Sequence, residues 1–291
     1  MTLFHRVRTY RLTLYYLAAI MLAALVLSAF GIVHQPVTNL AFSTAVALAT
    51  CLSVNWVFAR VFAAESNWES VCISALIISL IITPAAPDDL AATAFLALVS
   101  AWAMASKYMI ATGKRHLFNP AAFGAMLIGV GLHRAVSWWV GENAVLLPVI
   151  VLGGALILTR LRYYEMLAAY AAVVLGISIA HGNLSSIAGI AHALSMMGIH
   201  SMFCFFGLVM LTEPRTVPLG RWRQIAYGAF VGLLFSPYTH VGSYYFTPEA
   251  AILCGNIFTF FSNKRRVRRW TEALASFGRT PAVGNHPIDT K

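Results

Sequence analysis

Apolar residues run along this chain in long blocks separated by short polar breaks. Ten blocks stand out, over 12–33, 37–59, 70–83, 90–106, 119–132, 144–159, 166–180, 188–211, 225–236 and 248–262. A helix needs about 20 apolar residues to span a bilayer, fewer where flanking groups snorkel. The pattern therefore predicts an all-α integral membrane fold of about ten transmembrane helices. The first block, Leu12 to Val33, is too long for the apolar region of a signal peptide and lacks a small-residue cleavage site before the next block. It is expected to stay as an anchor.

The breaks carry charge in a set order. Arg6, Arg8 and Arg11 precede the first block, Arg60 follows the second, and Lys107, Lys114 and Arg115 follow the fourth. Arg160 and Arg162 follow the sixth, Arg215, Arg221 and Arg223 the eighth, and Lys264, Arg265, Arg266, Arg268 and Arg269 the tenth, with Arg279 and Lys291 further on. Ten crossings place 19 of the 20 basic residues on one side, leaving Arg134 on the other. Basic loops stay inside, so both termini are expected in the cytoplasm, with the chain multi-pass in an inner (cytoplasmic) membrane. The opposite side carries Asp88, Asp89 and Glu142, with Trp138, Trp139, Tyr244 and Tyr245 as an interfacial belt.

Composition agrees with lipid as the main partner: 59% of residues are hydrophobic and 10% charged, against about 25% charged in a soluble domain. The net charge of +10 lies in loops between apolar blocks, which argues against nucleic acid. Cys51, Cys72, Cys204 and Cys254 all fall inside apolar blocks without metal-ligand spacing, so neither a disulfide framework nor a metal site is expected. His34, His133, His181 and His240 read as loop histidines. His192 and His200 stand eight apart on one helix face, whereas a haem pair takes ligands that face each other.

The two halves echo each other. Thr83-Pro84 ends the third block and Thr212-Glu213-Pro214 the eighth; Phe118-Asn119-Pro120 opens the fifth and Phe246-Thr247-Pro248 the tenth. The offset is 128 to 129 residues. An odd number of crossings per half inverts the second relative to the first, and such repeats place a site between the halves near the midplane. The chain divides accordingly into a tail over 1–11, five-helix repeats over 12–132 and 133–262, and a tail over 263–291. The fifth and tenth blocks are short and open with a polar cap, Asn119 or Thr247, followed by proline, a strong helix start. Their N-termini would offer partial positive charge and free N–H groups to a ligand.

Two polar loops lie on the basic side, KYMIATGKRHLFN over 107–119 and TEPRTVPLGRWRQ over 212–224. Lys107, Lys114, Arg115 and Arg215 could hold a phosphate or an anionic ring edge, or serve only as topological anchors. Glu213, an ionisable group at the end of an apolar block, is the stronger candidate, because intramembrane charge is costly and functional. No nucleophile elbow, phosphate-binding loop or HExxH zinc motif occurs.

KRHLFNPAAFGA, MLTEPRTVP and YFTPEAAILCGN resemble the RnfD/NqrB family of membrane subunits, and most closely the branch often fused to a ferredoxin-reductase-like module. The likeness covers roughly residues 10 to 265. It implies ten helices in two inverted halves, flavin (FMN or riboflavin) between them, and electron movement along or across the membrane. It implies Lys107, Lys114, Arg115, Asn119, Glu213, Arg215, Thr216 and Thr247 as flavin-binding candidates. The threonine motif that carries covalent FMN in that family is missing, and His133–Asn143 contains no threonine, so the flavin implied is noncovalent. No reductase module is present in this sequence, which implies a separate cytoplasmic flavoprotein or iron–sulfur reductase as partner. The chain would then be an oxidoreductase subunit without its own nucleotide-binding domain. A small-solute channel or transporter on the same inverted-repeat fold is the alternative, and a cofactor-free assembly partner a third reading.

Overall fold

The computed structural model describes residues 9–112, 115–181, 202–263 and 267. These residues are mostly helical. The helices are α1 (Thr9–Ala29), α2 (Val37–Val61), α3 (Trp68–Ile81), α4 (Leu90–Met109), α5 (Pro120–Gly131), α6 (Leu147–Leu161), α7 (Tyr164–His181), α8 (Phe203–Phe205, continued as a π-helix over Phe206–Met210), α9 (Arg221–Phe235) and α10 (Pro248–Ser262). A 3-10 turn, Ala144–Leu146, leads into α6. Each of the ten apolar blocks contains or overlaps one of these helices; most of the eighth block, with His192 and His200, lies outside the described residues.

Among the described residues, five helices are long and apolar enough to cross a membrane: α1, α2, α4, α6 with its 3-10 lead, and α7. Helices α3 and α5 are shorter apolar helices of 14 and 12 residues. Their starts are fixed by side chains. Asn67, Asp89, Asn119 and Thr247 each accept a hydrogen bond from a backbone N–H three residues on, at 3.3, 2.9, 3.0 and 3.3 Å, which satisfies donors that the helix itself leaves open. Pro120 and Pro248 fill the first helical position, where no N–H is needed.

The repeat is plainer in the structure than in the sequence. Four helices, a two-residue hairpin and a fifth helix follow one another twice. The first hairpin pairs β1 (Ala111–Thr112) with β2 (Arg115–His116), Ala111 opposite His116 and Thr112 opposite Arg115. The second pairs β3 (His240–Val241) with β4 (Tyr244–Tyr245), His240 opposite Tyr245 and Val241 opposite Tyr244. Adding 129 to each number of the first hairpin gives the second. Packing repeats too: α1 meets α3, α3 meets α2, α2 meets α4 and α4 meets α5, as α6 meets α8, α8 meets α7, α7 meets α9 and α9 meets α10. Between the halves, α1 packs on α6 and α5 on α10, so equivalent helices face each other.

At the first of these contacts Tyr16 crosses from α1 and donates to the carbonyl of Ile150 at 2.7 Å, while Gly153 leaves room for its ring. Tyr16→Phe is expected to cost about 1 kcal/mol, the net worth of a buried hydrogen bond plus a stranded acceptor. Thermal unfolding of the detergent-solubilised protein measures it, and an unchanged midpoint would show that the contact holds nothing.

One end of the bundle gathers the charged contacts. Arg11 at the start of α1 pairs with Glu69 at the start of α3 at 2.6 Å. Lys107 at the end of α4 donates to the Ser70 carbonyl at 2.8 Å, and Arg221 at the start of α9 pairs with Glu165 at the start of α7 at 2.6 Å. At the other end the connection between α5 and α6 folds inward. Trp138 N–H donates to the Ile81 carbonyl at 2.8 Å and Trp139 Nε1 to the Ser79 carbonyl at 2.9 Å, which caps α3 where its helix stops. Of the four residues read as an interfacial belt, Trp138 and Trp139 are instead buried in the protein, Trp138 with Nε1 on Glu249 of α10. The carboxylate explains this, because a buried indole N–H needs an acceptor.

Candidate functional site

Helix α8 does not end as an ordinary helix. It widens into a π turn over Phe206–Met210, with Leu211 N–H on the Phe206 carbonyl at 2.9 Å. Single π turns of this kind are frequent at functional sites. Thr212 Oγ1 then bonds back to the Leu208 carbonyl at 2.8 Å, and Thr216 and Val217 both donate their N–H groups to the Glu213 carbonyl. Pro214 and Pro218 keep the chain from re-entering a helix. The result is a tight turn that holds the Glu213 side chain at the end of the bundle where the charged contacts gather.

The partner of Glu213 is His116. Its Nε2 lies 2.9 Å from Glu213 Oε1, and the imidazole is 3% exposed. Strand β2 positions the ring, so the loop between α4 and α5 is tied to the end of α8 across the halves. Directly after Leu117-Phe118, Asn119 caps α5. Its N–H donates to Asn256 Oδ1 in the middle of α10 at 2.7 Å, while its own Oδ1 takes the Ala122 N–H.

A cavity lies beside this pair, between the first turns of α1, α3 and α5 and the end of α8. Its apolar wall includes Ile77, Ile157 and Leu208. Its polar rim includes Thr13, Ser74, Asn119, Thr212 and Glu213. Tyr10 and Tyr16 of α1 also border it. Among the described residues no three His, Cys, Asp or Glu side chains gather as a metal would need.

Of the eight candidates read from the sequence, Asn119 and Glu213 line the cavity. Arg215 stands 5.3 Å over the ring of Tyr10, at the cavity's edge. Thr216 is fully buried behind Glu213. Lys107 bonds to Ser70, a lining residue, and so acts from behind the wall. Arg115 sits in the β1–β2 hairpin; Lys114 lies outside the described residues. Thr247 is not at this place. It caps the far end of α10, nine residues from Asn256, roughly 13 Å along a helix. The two helix starts, Asn119 and Thr247, therefore do not converge on one point; the start of α5 meets the middle of α10.

Sequence reasoning missed His116, Tyr227 and Asn256. His116 stood inside a quoted basic loop whose charges drew attention first. Asn256 stood in a quoted motif but in mid-block, where a lone amide reads as an ordinary interior residue. The one signal available was that a buried amide in an apolar helix needs partners.

Fold and cavity together define a class: a mostly helical bundle with five helices long and apolar enough to cross a membrane, and a part-polar cavity at its charged end. No protein-family model matches the chain, and no curated protein matches it.

Proposed function

We propose that the chain is an RnfD/NqrB-type membrane subunit of an electron-transport complex, binding flavin noncovalently in this cavity and receiving electrons from a cytoplasmic flavoprotein or iron–sulfur reductase. The observation that carries the reading is the lining. A flavin ring has two flat apolar faces and one edge of alternating donors and acceptors. The cavity supplies branched apolar side chains on its walls, with the Asn119 amide and the Glu213 carboxylate on its rim; its volume is about 40 Å³, so it must widen to admit the ring. A bound flavin would supply the two-electron chemistry. Arg215, 5.3 Å over the Tyr10 ring at the cavity's edge, is a basic group that could meet an FMN phosphate.

In this reading the bundle lies in an inner membrane with both termini cytoplasmic, and the halves are inverted. The face-to-face packing of α1 on α6 and α5 on α10 supports a pseudo-two-fold axis between them. Reporter fusions at Ser137 and Asn263 test the arrangement: opposite compartments are expected, and the same compartment rules it out.

Absorbance and intact mass of the detergent-purified chain test the cofactor. Visible flavin absorbance, with all flavin released on denaturation and the mass that of the bare polypeptide, is the expected result. A colourless protein releasing no flavin overturns the reading. It would favour a small-solute channel or transporter, for which the buried polar groups along α9 and α10 are the specific observation; solute flux into liposomes bearing only this chain would then be the assay.

A further inference from the structure

The end of the bundle opposite the cavity has a place built from the same parts. The cavity is lined by, among others, Ile73, Ile77, Ala121, Leu208 and Val209. The repeat offset of 128 to 129 residues makes their counterparts Met202, Phe206, Glu249, Ser79 and Leu80. One segment covers every one of these. Gly141 lies against Met202, where a β-carbon would stand 2.6 Å from Cα. The Trp138 ring stands 5.9 Å from that of Phe206, and its Nε1 donates to Glu249 Oε1. Trp139 Nε1 donates to the Ser79 carbonyl, and Val140 N–H to the Leu80 carbonyl. What is a cavity in one half is filled in the other by the connection between α5 and α6.

Two observations separate this filling from ordinary core. Trp138 holds φ at +50°, in the left-handed region, which strains a bulky residue and persists only where the surroundings impose it. Residues 132–135 before it and Glu142 and Ala144 after it are exposed, so the packed part of the segment is short and flanked by loop on both sides. The second observation is the carboxylate. Glu249 is 4% exposed, and a buried carboxylate is costly. Holding an indole does not require one, since the Trp139 N–H is satisfied by a backbone carbonyl, and the cavity has Ala121 at this position. A carboxylate accepts more strongly than a carbonyl, and so selects for a ring that brings an N–H.

We infer that this place is a second ligand site, kept closed by Trp138, and that it takes a planar bicyclic heteroaromatic ring with one N–H donor. The incoming ring displaces the indole, packs against Phe205 and Phe206, and gives its N–H to Glu249. The indole shows the fit: its ring meets Phe205 edge-on at 6.3 Å and 72° while its N–H is on the carboxylate. The strain at Trp138 works against the side chain that closes the site, so a free ring without that strain can compete with it. The site lies at the other end of the bundle from the cavity of the electron-transfer reading, and it requires no flavin.

Fluorine NMR of the full chain in lipid nanodiscs, with fluorotryptophan at its seven tryptophans, tests it; Trp138→Phe identifies the Trp138 line. Titration with free indole is expected to move that line saturably to the position of an exposed tryptophan. Indene, the same bicycle without an N–H, is expected to leave it in place. A Trp138 line that indole does not move, or that indene moves equally, overturns the proposal. Calorimetry on Trp138→Ala supplies the second measurement. It is expected to bind indole about ten-fold more tightly than wild type, because the site need not be vacated first. Adding Glu249→Leu is expected to weaken that binding about ten-fold, the loss of one hydrogen bond to a charged acceptor. Indole binding by Trp138→Ala alongside an unmoved wild-type line makes Trp138 fixed core and overturns the proposal. If Trp138→Ala does not fold, the wild-type titrations with indole and indene decide it. Neither measurement reads flavin, so the electron-transfer reading can fail without this one.

Discussion

Gly228→Leu is expected to give the largest loss of stability of any single change in the chain. A β-carbon at Gly228 would stand 2.1 Å from the carbonyl oxygen of Met166 on α7, and one at Gly232, a turn further on, 2.8 Å from the Tyr170 carbonyl. Both obstacles are backbone, so no side chain can turn aside; the helices must part. Overpacking a well-packed interior costs about 1–3 kcal/mol, and separating α9 from α7 also pulls Tyr227 and Phe235 from their places. A fall in unfolding midpoint on the order of 10 °C, or loss of the folded peak on size exclusion, is expected. Gly176→Leu is the control. It lies on α7 with nothing within 4 Å of a β-carbon and is expected to behave as wild type. Equal behaviour of the two variants would mean that α7 and α9 are not held at this distance. Small residues at helix contacts let backbones approach, and the same device recurs at Gly124 against the Val99 carbonyl.

That device shows why the helices were legible in the sequence and their arrangement was not. Apolar runs between basic loops give ten segments, because long stretches lack polar residues, and the structure has helices in those places. Boundaries shifted where chemistry other than hydropathy decides them. Helix α1 includes Thr9 and Arg11, inside the basic tail, where Arg11 is held by Glu69. Helix α9 begins at Arg221, four residues before its apolar block, because Gly220 at φ +100° turns the chain there. The hairpins could not be seen at all. Strands of two residues have no alternation to detect, and the 129-residue correspondence between them appears only once the pairing register is known.

The site was half legible for the same reason. Glu213 and Asn119 announce themselves by position: a carboxylate at the end of an apolar block, and a cap before a proline. Thr247 announces itself equally well, yet caps α10 nine residues from Asn256, where that helix meets Asn119, because a local cap signal does not say what its helix packs against. His116 and Asn256 have no local signal. Their meaning lies in pairing across the halves, 97 residues from His116 to Glu213 and 137 from Asn119 to Asn256, and separations of that size follow from the fold alone.

Glu213→Ala tests whether this pairing holds the cavity together. Removing the carboxylate leaves the imidazole of His116, 3% exposed, without its acceptor. The ring is buried, so the stranded group is expected to cost about 1–3 kcal/mol. His116→Leu strands the carboxylate instead, at a similar cost. The double variant strands neither partner, so its destabilisation is expected to fall short of the sum of the two, with an interaction energy of about 0.5–3 kcal/mol. Unfolding midpoints of the four proteins in one detergent measure the cycle, and strict additivity would mean that the 2.9 Å contact is not made in solution. Flavin retention read on the same four samples carries the functional side. On the electron-transfer reading, both single variants are expected to lose bound flavin, because the α4–α5 loop and the end of α8 are then no longer tied beside the rim. The double variant is expected to recover stability without recovering flavin, since the Glu213 carboxylate is itself part of that rim. Recovery of both together would make the pair a structural clamp only and remove Glu213 from the binding surface.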